Sequence, residues 1–255
     1  MRLTRHNGRA GKHGTYNPKH NDRSFDLENS EHINAELAKK NVYWDCYNGF
    51  RSLAKEELLA DTFEEVEEMF YSSQYRNHVE SQNQRNEKNR HPERNRTTSD
   101  LLKNKKTAPE ETIFQIGTID NHVPPEILLQ VVTDFLVELD TRFGKNVHIL
   151  DWALHLDEGT PHIHERHVFD CENSYGEVAP QQEKALEELG FELPDPTQKP
   201  SKINNRKKTF DSVCRVILFN ITKKYGLDLE EEPEYGGRAY LEKQDYILMK
   251  QKQQM

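Results

Sequence analysis

Apolar residues recur along this chain at helical spacing in some stretches and alternate with polar ones in others. Residues 125–143 carry an apolar stripe with a proline at the start and Gly144 after the end, which predicts an amphipathic helix. Residues 209–225, stopped by Gly226, predict another. In 56–71, Leu58, Leu59, Phe63, Val66, Met69 and Phe70 fall near the same spacing, so a helix is expected there, with a short one at 34–40. From 76 to 105 the apolar stripe fades. This stretch predicts a long polar helix broken near Pro92, or a helix pair.

Alternation predicts the strands. Residues 112–119 read as one strand, while 147–156, a turn-rich 157–161 and 162–169 read as a hairpin. Residues 1–30 read as strand or loop, 170–190 as a turn and helix, and 195–205 as a proline-containing loop, with no internal repeat. The fold class expected is α+β: a central antiparallel sheet bearing the hairpin, helices packed on one face, and a long polar helical region.

Composition narrows the class. The chain has 255 residues and a formal net charge of −9. It contains no apolar run near the ~18 residues of a membrane span and no signal-peptide core, so a cytoplasmic protein is expected. Cys46, Cys171 and Cys214 are widely spaced and form no C-x-x-C pair, which argues against a disulfide framework or a cysteine zinc site.

The hairpin carries the chemistry. His155, His162 and His164 fall within ten residues, and strand alternation points His162 and His164 to one face with Ile163 to the other. A histidine or two on a strand is commonly solvated, but three converging imidazoles form a site for a divalent cation with open positions. Glu158 is read as a further ligand or an outer carboxylate, and Asp157 as a turn former.

The string HLDEGTPHIH at 155–164 resembles the metal motif of the Mob/Pre (MobV-type) plasmid mobilisation relaxases, within the HUH endonuclease superfamily, whose His-hydrophobe-His pair is here His162-Ile163-His164. Lys19-His20-Asn21-Asp22-Arg23-Ser24-Phe25-Asp26 is similar to the family's first motif, a histidine followed three residues on by an arginine, and Asn41-Val42-Tyr43-Trp44 is a weaker match. The resemblance covers most of residues 1–245, read as one relaxase domain with a helical insertion at about 55–106. Residues 246–255 read as the start of a helical or coiled-coil extension through which the chain could oligomerise.

The resemblance implies a relaxase that nicks one strand of single-stranded or supercoiled plasmid DNA at an origin of transfer and stays attached to the 5′ phosphate. It implies Mn or Mg as cofactor, held by His155, His162 and His164. His20 becomes the nucleophile, with Arg23 balancing charge at the phosphorus and Glu158 assisting. His6-Asn7-Gly8-Arg9 has the same H-x-x-R spacing, so spacing does not choose between His6 and His20; the surrounding residues favour His20, with Tyr16, Tyr43 and Tyr47 in reserve. Charged residues on the return strand leave Glu165 and His167 as further candidates for the site. A rolling-circle replication initiator would instead nick with a tyrosine, Tyr225 being best placed. A non-enzymatic DNA-binding protein derived from a relaxase is the third reading.

Charge is segregated despite the acidic total. Arg5, Arg9, Lys12 and Lys19 punctuate the N-terminal stretch, Arg76, Arg85 and Arg90 the polar helical region, and Lys199, Lys202, Arg206, Lys207 and Lys208 a third cluster. Basic runs beside a metal motif predict a phosphate track.

Overall fold

The computed structural model describes residues 1–11, 14–25, 33–51 and 61–230. In chain order these form strand β1 (Leu3–Gly8), a small hairpin of β2 (Ala10–Gly11) and β3 (Gly14–Thr15), a 3₁₀ turn at Pro18–His20, and helix α1 (Ala35–Ala38). Strands β4 (Val42–Asp45) and β5 (Gly49–Phe50), helix α2 (Phe63–Lys88), a 3₁₀ turn at Pro92–Arg94 and helix α3 (Thr98–Lys103) follow. Then come β6 (Glu110–Ile116), α4 (Pro125–Phe143), β7 (Val147–His155), β8 (His162–Glu172), β9 (Val178–Pro180), α5 (Gln182–Glu188) and α6 (Arg206–Lys224).

The fold is α+β. Its main sheet runs in the order β1-β6-β8-β7-β4-β5, with β9 added to β8, and its pairings are antiparallel. The long hairpin β7–β8 lies at the centre, where neighbours on both sides hold its register.

Alternation along β8 assigns the two faces. Ile163 and Phe169 point toward α4 and α6 and join a core with Phe114, Phe135, Leu154 and Phe210. His162, His164, Arg166 and Val168 point the other way. At the Val168 end this second face is covered by α2, whose Tyr71 and Tyr75 pack on Leu150 and Val168. At the His162 end α2 gives way to the turn at Pro18–His20. The polar helical region is therefore a layer on the sheet's second face, and the open part of that face is the end bearing the histidines.

Helix α2 joins two stretches expected to be separate. A capping box between Thr62 and Glu65 starts it, and the absence of glycine or proline up to Lys88 lets it continue through the polar stretch. Phe63, Val66, Tyr71, Tyr75 and Val79 form its buried stripe, while Leu58 and Leu59 lie outside the described residues. The break expected near Pro92 coincides with the 3₁₀ turn at Pro92–Arg94. The helix expected at 125–143 is α4.

Strand β7 contains a bulge between Ile149 and Asp151. Below it, His148 and Leu150 face α2, where His148 meets Phe70. Above it, Trp152 and Leu154 face the α4 core, leaving Asp151, Ala153 and His155 on the α2 side. One extra residue resets the alternation and turns His155 toward the open face. Among the described residues no helix is long and apolar enough to cross a membrane.

Candidate metal and nucleophile site

His155, the last residue of β7, pairs directly with His162, the first of β8, and His164 follows two positions on. Their rings converge, with centroids 5.2 Å apart for His155 and His162, 4.9 Å for His155 and His164, and 5.0 Å for His162 and His164.

Each ring is held from outside by an oxygen. His155 Nε2 lies 2.8 Å from the Asn21 carbonyl, His162 Nδ1 2.8 Å from the Thr160 carbonyl, and His164 Nδ1 3.1 Å from Glu111 Oε1. Because those oxygens accept, the outer nitrogens carry the protons and the inner ones carry lone pairs. His155 Nδ1 is buried with no hydrogen-bond partner among the described residues. Burial, with the charge of Arg23, pushes the His155 imidazole down to about 3, and burial also lowers His162, so both are neutral at pH 7. Neutral imidazoles with inward lone pairs and outer hydrogen bonds are the donor set a divalent cation requires, so the residues present fit one.

His20 completes the cluster. The turn at Pro18–His20 is set by Pro18 and by the Asn17 side chain, which accepts from the Lys19 amide. It presents the His20 ring 5.7 Å from that of His155 and 5.4 Å from that of His164, with Phe25 stacked at 6.2 Å. Ligand atoms within 4.8 Å of one another form two groups sharing His155: His20, His155 and His164, and His155, Glu158 and His162. The His20 side chain remains 41% exposed, which leaves it reachable from solvent.

Glu158 stands between these groups. Its carboxylate is 3.5 Å from His20 Nε2, 3.8 Å from His155 Nδ1 and 3.7 Å from His162 Nε2. Hydrogen bonding with His20 and with Arg23 holds it well below the usual carboxylate range, so it is ionised.

Arg23 adopts a left-handed conformation, φ 59°, which folds its side chain back under the turn. Its Nε and Nη2 donate to the two Asp157 oxygens at 2.8 Å each, Nη2 also donates to Glu158 Oε1 at 2.7 Å, and Nη1 donates to the His20 carbonyl at 2.8 Å. The guanidinium is thus neutralised by two carboxylates while Nη1 stays 3.4 Å from the His20 ring nitrogens. Asp157, expected only to form a turn, is buried and also accepts from Asn41 Nδ2 at 3.0 Å. Asn41 Oδ1 in turn accepts from the Leu156 amide at 2.8 Å. Asn21 and Asn41 fall within the matched motifs without a role that the motifs assign, and Glu111 carries no pattern that marks it, because each bonds to residues remote along the chain.

Other candidates lie elsewhere. His6 pairs with Ile113, which pairs with His164, so it shares the open face but stands two strands away, roughly 10 Å. Tyr43 packs on Phe63, Tyr47 lies near Ser73, and Tyr16 packs on Gly8. Tyr225 donates to Asp134 on α4, across the sheet from the histidines. Glu165 and His167 point to that same reverse face and bond to each other, because their positions alternate with His164.

Among the described residues the basic side chains stand on different faces and levels of the fold. Arg5 is a correction: its side chain is 5% exposed and pairs with Asp211 at 2.9 Å on the reverse face, so it is unavailable to a phosphate. Lys207 is likewise internal, 2.5 Å from Glu110 and 2.6 Å from Asp211. Arg85 is bound by Glu177 about 33 Å along α2 from Phe63, and Arg90 lies beyond the helix end. Arg76 is exposed and donates to Ser72, Arg9 donates to the Lys106 carbonyl, and Lys19, beside His20, pairs with Glu64 at 2.9 Å. Lys12 and residues 246–255 lie outside the described residues.

No known family model matches this sequence, and no curated protein matches it. The chain is similar to crystal structures of the MobM relaxase domain (MOBV; Mob_Pre), Mn-bound and in complex with plasmid pMV158 oriT DNA. One aligns with a TM-score of 0.49 and 13% identity over 94% of this chain and 96% of the other. A second gives 0.48 and 13% over 93% and 96%, and a third 0.46 and 14% over 96% and 100%.

Proposed function

We propose that this chain is a divalent-cation-dependent DNA strand transferase of the relaxase kind, nicking one strand at an origin of transfer of a plasmid or mobile element. The observation that carries this reading is the position of His20: a solvent-reachable imidazole beside an ionised carboxylate and within ligand distance of two inward-facing histidines. An imidazole lone pair is a competent nucleophile near neutral pH, and the three hairpin histidines supply the donor set for Mn or Mg. A bound cation would polarise the scissile phosphate.

The chain's own residues account for the remaining steps. A His20 ring nitrogen attacks phosphorus, a P–N bond forms, and the P–O3′ bond breaks. The ionised Glu158 carboxylate stabilises the positive charge that develops on the ring, the proton on the other ring nitrogen leaves to solvent, and the departing 3′ oxygen takes a proton from solvent. The 5′ phosphate stays on His20 as a phosphoramidate, and the reverse sequence rejoins the strand. Arg23 fixes the turn through the His20 carbonyl and sets Glu158 against the ring. Lys19, next to His20, is a basic residue on hand to meet the DNA backbone at the site, in single-stranded or supercoiled plasmid.

Incubation with supercoiled plasmid carrying the cognate origin, followed by mass spectrometry of the peptide–DNA adduct, tests the reading. An adduct on the peptide containing His20, lost on chelation, is expected. DNA binding without any nick would favour the non-enzymatic alternative. An adduct on Tyr225 would favour a rolling-circle initiator, which the place of Tyr225 across the sheet from the histidines argues against.

A further inference from the structure

We propose that Asn21 and Glu111 are positioning residues that join the turn presenting His20 to two of the hairpin histidines, so that the cation is bound at full strength only when that turn is docked. The proposal rests on the cation reading above. Asn21 follows His20 directly and is fully buried, and it reaches both histidines by different atoms. Its main-chain carbonyl lies 2.8 Å from His155 Nε2. Its side-chain Nδ2 donates to Glu111 Oε2 at 3.1 Å, and Glu111 Oε1 lies 3.1 Å from His164 Nδ1.

Each link has a chemical effect. An acceptor on the outer nitrogen fixes the tautomer, aims the inner lone pair and raises the basicity of the ring. A carboxylate does this more strongly than a carbonyl, because the bond is charge-assisted. Glu111 is itself held from a third direction by Arg166 Nη1 at 3.4 Å, and Arg166 is clamped by Glu67 of α2. The Asn21 amide and Arg166 thus share Glu111 Oε2 while Oε1 meets His164.

Coupling follows from linkage. If the docked turn strengthens cation binding, the cation must strengthen docking of the turn by the same factor. Two readouts besides nicking are available: Mn²⁺ affinity by calorimetry, and hydrogen exchange in residues 14–25 with and without Mn²⁺.

The test uses the whole chain, MnCl₂ alone and four variants checked for folding by circular dichroism. Glu111→Gln removes the charge and is expected to lower Mn²⁺ affinity about 10- to 100-fold, as loss of outer partners of metal-bound histidines does. Asn21→Ala keeps the carbonyl but frees Glu111, and a fall of at least about threefold is expected, less than for Glu111→Gln. Asp211→Asn, in the ion network across the sheet, is the control for general destabilisation and should leave affinity within about twofold.

In the wild type, Mn²⁺ should slow exchange in residues 14–25. Wild-type protein that binds no Mn²⁺, or binds it equally well after His164→Ala, would remove the cation reading itself. Binding through His164 that Glu111→Gln and Asn21→Ala leave within twofold would overturn only the positioning role. If Glu111→Gln does not fold, Asn21→Ala decides. If neither folds, unchanged wild-type exchange in residues 14–25 on adding Mn²⁺ overturns the proposal.

Discussion

Arg23 and Asp157, 134 positions apart, meet through two parallel hydrogen bonds of 2.8 Å, and this pair docks the His20 turn onto the histidine hairpin. The Arg23 side chain is 4% exposed, so removing Asp157 leaves a buried cation with Glu158 as its remaining partner among the described residues. Asp157→Ala is expected to cost about 3 kcal/mol in urea unfolding, the lower end for breaking a buried pair. Asp157→Asn, which keeps an acceptor, should cost less. A loss below about 1 kcal/mol for the alanine variant would mean that the pair behaves as a surface contact.

Removal of a hairpin histidine should separate chemistry from DNA binding. His162→Ala is expected to lower Mn²⁺ affinity by more than about 10-fold and to abolish nicking at low metal, while DNA affinity in a gel-shift assay stays largely intact. Undiminished cleavage by this variant under limiting Mn²⁺ would exclude His162 from the cation site.

The duplicated H-x-x-R spacing gives a direct comparison of two histidines. His20→Ala should eliminate the covalent DNA adduct and His6→Ala should preserve it, since only His20 stands at the cluster. The adduct should be labile to acid and comparatively stable to base, as a phosphoramidate is. An acid-stable adduct on Tyr43 or Tyr47 would reassign the nucleophile and leave the cation site untouched.

On the reverse face, burial would raise the Asp211 carboxyl, but Lys207 and Arg5 bring it down to about 2 from its usual 3.8. A depressed carboxylate contributes stability that is complete above the unfolded value and lost as pH falls through the folded one. Asp211→Asn should therefore lower stability by about 1–2 kcal/mol at pH 7, with the gap closing between about pH 4 and pH 2. Thermal unfolding of both proteins across that range checks it. A gap that persists at pH 2 would point to packing instead of charge.

The elements legible in the sequence were those whose signal is local. The stripe of α4 with its proline start, and the hairpin with His162 and His164 two apart, follow from periodicity alone. Where polar residues are buried, the sequence misleads. Arg5 and Lys207 look like a phosphate track, yet each meets an acid contributed by a distant element, Asp211 on α6 and Glu110 on β6. Glu111 reads as one more acidic residue at the start of a strand until β6 is set beside β8 and its carboxylate falls next to His164. Pairing across a sheet decides such roles, and no window along the chain contains both partners.

The bulge in β7 makes the strand two independently phased segments. Substitutions at His148 can retune the seat of α2, and at Val147 and Ile149 the packing on the α4 core, without disturbing the histidines, because the phase above the bulge is set by pairing with β4 and β8. The effect of a change in chain length depends on where it falls. Deleting Leu150 alone would remove the extra residue and set Ile149 and Asp151 next to each other opposite His167 and Arg166, so Trp152 and His155 would keep their sides and His155 its pairing with His162, at the loss of the leucine packed on Tyr71 and Tyr75. Deleting a residue between Asp151 and His155 instead would exchange the sides of residues in that segment or shear the pairing of His155 with His162. Relatives that keep a histidine site of this kind can differ in length at the bulge but not between it and His155.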